Sequence, residues 1–333
     1  MIMRGVTYGK YGPARDVLEL GEHPKVAPQA GEVRVALTFS AVNPSDVKRR
    51  ASARPGIEES PFERVCPHSD GAGVIEAVGN GVDPARVGER VWIWNGHWQR
   101  SWGTAAEKIT LDAAQAVPLP EGVSFETGAQ LGIPGLTAAH CVLGGGSVAG
   151  KTVLVHGGAG SVGYLAVQLA KWGGARVIAT ASPADFDKVR LGGANTVLDY
   201  RSATLAEDIK AAATGRKVER IIDVEFGANI AVDTEVIAPN GVISVYGSQK
   251  EQTPTLPFHA LLFKAVTIDI ALIYILPEAP RRAAIKALHA ALADEALDCP
   301  VDHVFTLAQT ADAHESVEQG GRNGATLIDV TSF

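Results

Sequence analysis

Cysteine is scarce in this chain. Cys66, Cys141 and Cys299 are the three among 333 residues. Their odd number and wide spacing indicate neither a disulfide framework nor a C-x-x-C zinc cluster, and they suit a reducing compartment. Long hydrophobic runs are missing as well. The longest apolar-rich stretch, AVTIDIALIYIL at 265–276, is too short for a bilayer and contains Asp269. The opening residues, MIMRGVTYGKYG, lack the apolar core of a signal peptide. There is no surplus of positive charge: 30 Lys and Arg stand against 37 Asp and Glu, a net charge of −7. That balance argues against nucleic acid or an anionic membrane as the main partner. These absences together lead us to expect a soluble cytoplasmic protein. What is present is enough apolar material, 46% of the residues, to bury a sizeable core, and enough length for about two domains.

One stretch organises the rest. Val153–Val155 is an apolar run suited to a buried strand, followed by Gly158-Ala159-Gly160-Ser161-Val162-Gly163, a match to G-x-G-x-x-G. Val162, Leu165, Ala166, Leu169 and Ala170 then fall on one helical face, and Gly173-Gly174 ends that helix before a second strand at 176–180. Strand, glycine turn, helix and strand are what a dinucleotide pyrophosphate needs, because glycines admit the phosphate and the helix start offers free N–H groups. Alone, the glycine pattern is weak, and a ligand-free glycine loop is its plain alternative. Before it, residues 1 to about 120 read as β-rich with recurrent Gly and Pro turns, a barrel-like domain. After it, strands at 196–198, 221–224 and 241–245 alternate with helices at 184–191 and 205–214, the pattern of a doubly wound parallel sheet. A helix over 279–293 and a final strand over 325–330 close the chain, and the tail is expected to rejoin the first domain.

Four groups of residues carry chemistry. The second strand ends Thr180-Ala181-Ser182 without the carboxylate that holds ribose hydroxyls in NAD sites. This favours NADPH, with Ser182, Tyr200, Arg201 and Lys188 as candidates for the 2′-phosphate side. Cys66, His68 and Asp70 would share one face of a strand, two or three ligands for a metal, or else a polar loop. Trp92, Trp94, Trp98 and Trp102, with His97 and Arg100 among them, form either barrel packing or a flat apolar pocket for a planar substrate. Asn43-Pro44-Ser45-Asp46 is either a turn or a site where the Asn43 amide donates to a carbonyl oxygen gaining charge.

Further landmarks extend the pattern over the whole chain: Tyr11-Gly12-Pro13, Ala41–Asp46, Asp70–Ile75, Gly88–Val91, Gly103–Glu107, Gly135–Ala138, HGGAGSVG at 156–163 and the tail GGRNGATLIDV at 320–330. With these the chain resembles the zinc-independent medium-chain dehydrogenase/reductases, in the NADPH:quinone oxidoreductase or zeta-crystallin-like branch. The resemblance implies an α/β fold, a Rossmann domain at 125–265 and a discontinuous GroES-like β-barrel domain from 1–124 and 266–333. It implies no catalytic zinc, since relatives carry Cys, His and Glu where this chain has Asn43, Ser69 and Asp70, and it implies a homodimer through the Rossmann sheets. By similarity Gly158, Gly160, Ser161, Val162 and Gly163 hold the pyrophosphate. Thr137, Gly247, Ser248 and Ala271 line the nicotinamide end, with Arg322 and Asn323 nearby. Two departures stand out. Pro183 lies near where quinone reductases often have a phosphate-binding lysine, and Lys48 stands where they often have a tyrosine.

The expected activity is NADPH-dependent hydride transfer to a quinone or conjugated carbonyl compound, with Asn43 stabilising the oxygen. Lys48, Ser69, Trp94 and His97 are weaker pocket candidates. Two alternatives remain. One is C=C reduction of a 2-alkenal or a small unsaturated acid such as a haloacrylate, for which Lys48-Arg49-Arg50 would face the anion. The other is a cofactor-binding protein in a structural or RNA-binding role with little catalysis, against which the acidic charge counts.

Overall fold

The structure is a computed structural model, and it describes residues 2–52 and 60–332. The chain divides into two compact units, Met1–Ile133 with Cys299–Phe333, and Pro134–Asp298. Strands β1 (Ile2–Thr7), β2 (Glu19–Pro24), β3 (Glu32–Val42), β4 (Asp70–Val78), β5 (Arg90–Ile93), β6 (Lys108–Asp112) and β7 (Ala116–Pro118) belong to the first unit. Strands β8 (Thr152–Val155), β9 (Arg176–Ala181), β10 (Thr196–Asp199), β11 (Val218–Asp223), β12 (Ile237–Val245) and β13 (Thr267–Ile270) belong to the second, and β14 (Val301–Thr306) and β15 (Ala325–Asp329) return to the first.

The first unit is the GroES-like domain. Its seven-stranded sheet runs β14-β15-β3-β4-β5-β7, with β6 also paired to β3. Through most of β3, buried residues alternate with more exposed ones, so Val33, Val35 and Leu37 enter the core with Ile75, Val91, Ile109 and Leu111. Register shifts at Arg34/Val35 and Leu37/Phe39 increase its local twist and bend.

The second unit is a Rossmann domain. All six strands are parallel, in the order β10-β9-β8-β11-β12-β13. The chain therefore reverses direction across the sheet between β8 and β11, and ligands of such sheets bind beyond the carboxyl ends at that switch point. Central β8 is buried along its whole length, as a parallel strand covered on both faces must be. Each of Val153, Leu154 and Val155, at 0% exposure, contributes about 1.5–3 kcal/mol by leaving water.

The boundary expected at 265/266 moves. β13 pairs in parallel with β12 (Val242↔Thr267, Val245↔Ile270), so it completes the parallel sheet. The helix Glu278–Ala293 packs against the helix Leu136–Leu143 of the same unit. Residues 266–298 thus belong to the Rossmann unit, and the chain crosses back at Cys299. Among the described residues no helix is long and apolar enough to cross a membrane.

Candidate functional site

In the Rossmann unit, β8 ends at Val155 and the chain turns through Gly157, whose φ of +68° is in the left-handed region that glycine adopts without penalty. The helix Ser161–Trp172 follows with Gly160 as its N-cap. A Cβ on Gly163 would lie 2.1 Å from the Gly157 carbonyl oxygen, so helix and turn approach as closely as only glycine allows. The amides of Ser161, Val162 and Gly163 have no acceptor within the helix, and the helix dipole favours an anion beside them. These residues fit a dinucleotide pyrophosphate.

What holds the turn is a buried network not apparent in the sequence. The Gly157 N–H donates to Thr180 Oγ1 at 3.2 Å and the Gly158 N–H to the Thr180 carbonyl at 2.8 Å. His156, 1% exposed, lies 3.2 Å from the same hydroxyl through Nδ1 and 2.9 Å from Asp233 Oδ1 through Nε2. Burial alone would push the imidazole down. The Asp233 carboxylate, by charge and hydrogen bond, with Asp223 behind it, holds it above its usual value. Burial and Asp233 push Asp223 up to about 6, against His156 and the donors Glu225 N–H and Asn229 Nδ2.

Five of the remaining nucleotide candidates follow strands of this parallel sheet at its carboxyl end. Ser182 follows β9 and Tyr200 follows β10; Gly247 and Ser248 follow β12, and Ala271 follows β13. Thr137 is buried in the helix Leu136–Leu143. Two side chains differ from expectation. Ser182 is not a free donor, since its hydroxyl gives its proton to Asp185 Oδ2 at 2.6 Å. The Ser248 hydroxyl accepts from the Gly227 N–H at 2.8 Å and donates to the Glu251 carbonyl, so it braces its own loop.

In the GroES-like unit, Asn43 ends β3's extension and precedes the helix Pro44–Arg50. Its backbone N–H donates to Asp46 Oδ2 at 2.8 Å and its Nδ2 to Asp70 Oδ2 at 2.9 Å. Asp70 Oδ2 also accepts from the Ile133 N–H at 2.8 Å, whereas Asp70 Oδ1 is buried with no hydrogen-bond partner among the described residues. Burial, with the Asp46 charge adding to it, raises the Asp70 carboxyl well above its ordinary value despite the Ile133 and Asn43 donors. Asp70 thus fixes the Asn43 amide: one amide hydrogen is committed to it, and the other has no acceptor among the described residues.

The basic run 48–50 is mostly engaged. Buried Arg50 pairs with Glu318 and donates to the Gly12 carbonyl, and Arg49 donates to the His97 carbonyl at 3.3 Å. Lys48 is half-buried on the same helix, and Ser69 and His97 are buried. The Ser69 carbonyl accepts from Gly96 N–H at 2.8 Å, so the Ser69, Asn95–His97 and Asn43 segments adjoin. The tryptophans divide differently. Trp92 is fully buried, Trp94 spends its indole N–H on the Ala114 carbonyl at 3.1 Å, and Trp102 on that of Lys108 at 3.2 Å. Trp94 is barrel packing tied to a turn. In the same unit the Arg322 guanidinium reaches Thr326 Oγ1 at 3.5 Å and the Asn323 N–H donates to Asp302 at 3.2 Å.

The expected alternation of 66, 68 and 70 fails because the strand begins at Asp70 and His68 has φ +73°. Its ring turns inward instead, 2.9 Å from Ser40 Oγ and 2.8 Å from His314 Nε2. Among the described residues no group of three His, Cys, Asp or Glu side chains could hold a metal. Burial pushes His68 down to about 3 and His314 well below its usual value, the latter helped by His68 and Arg50. Folded-state values below the unfolded value of about 6.5 mean the unfolded chain binds more protons, so this pair's stability is complete above about pH 6.5 and lost as pH falls. We expect the melting temperature of wild-type protein to drop from pH 6.5 to 5 more steeply than that of His314→Asn. Parallel melting curves would remove the pair from the account.

Residues 29–121 match the alcohol dehydrogenase GroES-like domain family and residues 161–290 the zinc-binding dehydrogenase family. The quinone oxidoreductase of Rattus norvegicus is 32% identical over 249 residues, 74% of this chain and 73% of that protein. The chain belongs to the quinone oxidoreductase family of medium-chain dehydrogenase/reductases. Its fold is shared by a mycobacterial protein solved complexed with NADPH (25% identity, TM-score 0.83, covering 98% of this chain and 99% of that one). It is shared equally by an NAD-dependent alcohol dehydrogenase (26% identity, TM-score 0.84, covering 98% and 100%). Membership of this family makes the chain an oxidoreductase, and the glycine cradle fits its nicotinamide cofactor.

Proposed function

We propose that this protein reduces quinones or related conjugated carbonyl compounds by hydride transfer from NADPH, without zinc. The observation that carries the reading is the Asn43 amide, fixed by Asp70 and with one N–H that meets no acceptor among the described residues. A bound nicotinamide supplies the hydride. The chain's own part is to hold the pyrophosphate at Gly158–Gly163 and to donate from Asn43 to the substrate oxygen on which charge builds. Tyr200 is assigned to the 2′-phosphate side, where Ser182 also lies with its hydroxyl proton given to Asp185; Thr137, Gly247, Ser248 and Ala271 are assigned to the nicotinamide end, and the proton to water. Support for a small-molecule substrate comes from the quinone oxidoreductase relatives. Engagement of Arg49 and Arg50 within the chain counts against an anionic alkene.

Steady-state cofactor oxidation with quinones, 2-alkenals and haloacrylates tests this. Quinone turnover exceeding the others supports it, and turnover confined to acrylates contradicts it.

A second copy completes the assembly in this reading. The edge strand β13 and its neighbours leave Phe258, Leu262, Phe263, Ile270 and Ile275 between 54% and 86% exposed. An unpaired apolar edge of this kind invites pairing with its own copy. We expect a dimer by light scattering for wild-type protein and a monomer for Phe263→Glu with Ile270→Lys; a monomeric wild type would rule the dimer out.

A further inference from the structure

The carboxylate missing from the end of β9 in the sequence is restored by the fold. The turn Pro183–Asp185 carries Asp185 back towards Ser182, and the carboxylate takes the Ser182 hydroxyl proton into a 2.6 Å hydrogen bond. Asp185 Oδ1 makes no hydrogen bond among the described residues. In a Rossmann domain this corner, just past the second strand, faces the adenosine ribose. The cations around it are drawn to partners within the chain. Lys188 Nζ donates to the Ala159 carbonyl at 3.1 Å and sits 5.2 Å from the Tyr164 ring. Arg201 makes hydrogen bonds of 3.1 and 3.2 Å to the two Asp199 oxygens. Lys250 and Arg201 lie 5.8 and 5.3 Å from the Tyr200 ring.

The two forms of the dinucleotide differ here in hydrogen-bond character as well as charge. A ribose 2′-hydroxyl is a donor, and a carboxylate oxygen without a partner is the acceptor it needs. A 2′-phosphate brings only acceptor oxygens at neutral pH and a charge of about −1.5 to −2. It would meet a serine whose proton is already given to a carboxylate, and the carboxylate itself.

We propose that Asp185 is the residue that sets nucleotide choice: it accepts from the 2′-hydroxyl and opposes the 2′-phosphate, so that NADH competes with NADPH for this site. The inference rests on the nicotinamide cofactor of the proposed function and narrows its preference for NADPH. Lys188, Arg201 and Lys250 draw the phosphate in, and Asp185 limits what they gain. One carboxylate facing a phosphate at a half-exposed corner changes the dissociation constant by about five- to tenfold.

Equilibrium titration of NADH and NADPH by nicotinamide fluorescence tests this without turnover. Wild-type protein is expected to bind the two with dissociation constants within about tenfold of each other, the size of that single carboxylate's effect. Asp185→Asn keeps the acceptor for Ser182 and removes the charge, and it should tighten NADPH and raise the NADH-to-NADPH ratio of dissociation constants about five- to tenfold. Asp185→Ser should move it in the same direction. A ratio unchanged in both variants overturns the inference, as does a wild type that binds NADPH more than about a hundredfold tighter than NADH. Failure of either nucleotide to bind wild-type protein would instead overturn the proposed function on which it rests.

Discussion

Gly163→Val is expected to abolish dinucleotide binding. The first added carbon would stand 2.1 Å from the Gly157 carbonyl oxygen, a contact no rotamer relieves because it belongs to the Cβ itself. Turn and helix must separate, and the amides of Ser161 and Val162 then no longer point at one phosphate. Hydrogen bonds to charged groups contribute about 1.5–3 kcal/mol each, so loss of one weakens binding about 10- to 150-fold and loss of both by roughly 150-fold or more. A gentler variant guards against a simple folding defect. Thr180→Val keeps the volume but removes the oxygen that accepts from Gly157 N–H, and it should weaken binding about tenfold, the worth of one ordinary hydrogen bond. Fluorescence titration reads both. Wild-type affinity in Gly163→Val would mean the cradle binds something other than a pyrophosphate.

Asn43→Ala is expected to lower kcat by about 100- to 1,000-fold, the range for removing one donor from a developing oxyanion, and to leave cofactor affinity unchanged. The split matters, because Asn43 lies in the GroES-like unit and the glycine cradle in the Rossmann unit. Asp70→Ala should follow Asn43→Ala in part, since it removes the acceptor that fixes the amide. An unchanged kcat in Asn43→Ala removes this residue from the mechanism.

Much of this is legible in the sequence, for physical reasons. Strand and helix periodicity is a local property, so the repeating units from Lys151 onward show themselves in the apolar spacing. The glycine turn shows because only glycine can make it. The resemblance covering the whole chain supplied the Rossmann and GroES-like units. Long-range pairing was not readable. Nothing local at 267–270 says that this strand pairs with β12 rather than joining the barrel, and that one pairing moves the boundary by more than thirty residues. The buried polar groups were hidden for the same reason. His156 meets Asp233 across 77 residues and His68 meets His314 across 246. Asp185 is the instructive case: three residues from Ser182, it reads as part of the next helix, yet the turn at Pro183 folds it back to the ribose corner. A Ser-x-x-Asp spacing at the start of a helix is the signal that could have revealed it.

A single turnover in metal-free protein tests the central claim most directly. Protein dialysed against a chelator and then buffer is loaded with one equivalent of NADPH, and 1,4-benzoquinone is added while nicotinamide absorbance is followed. The account predicts complete oxidation of the bound cofactor with no metal present. Loss of the reaction after chelation with recovery on adding zinc, or bound cofactor that stays reduced with every quinone, would contradict it.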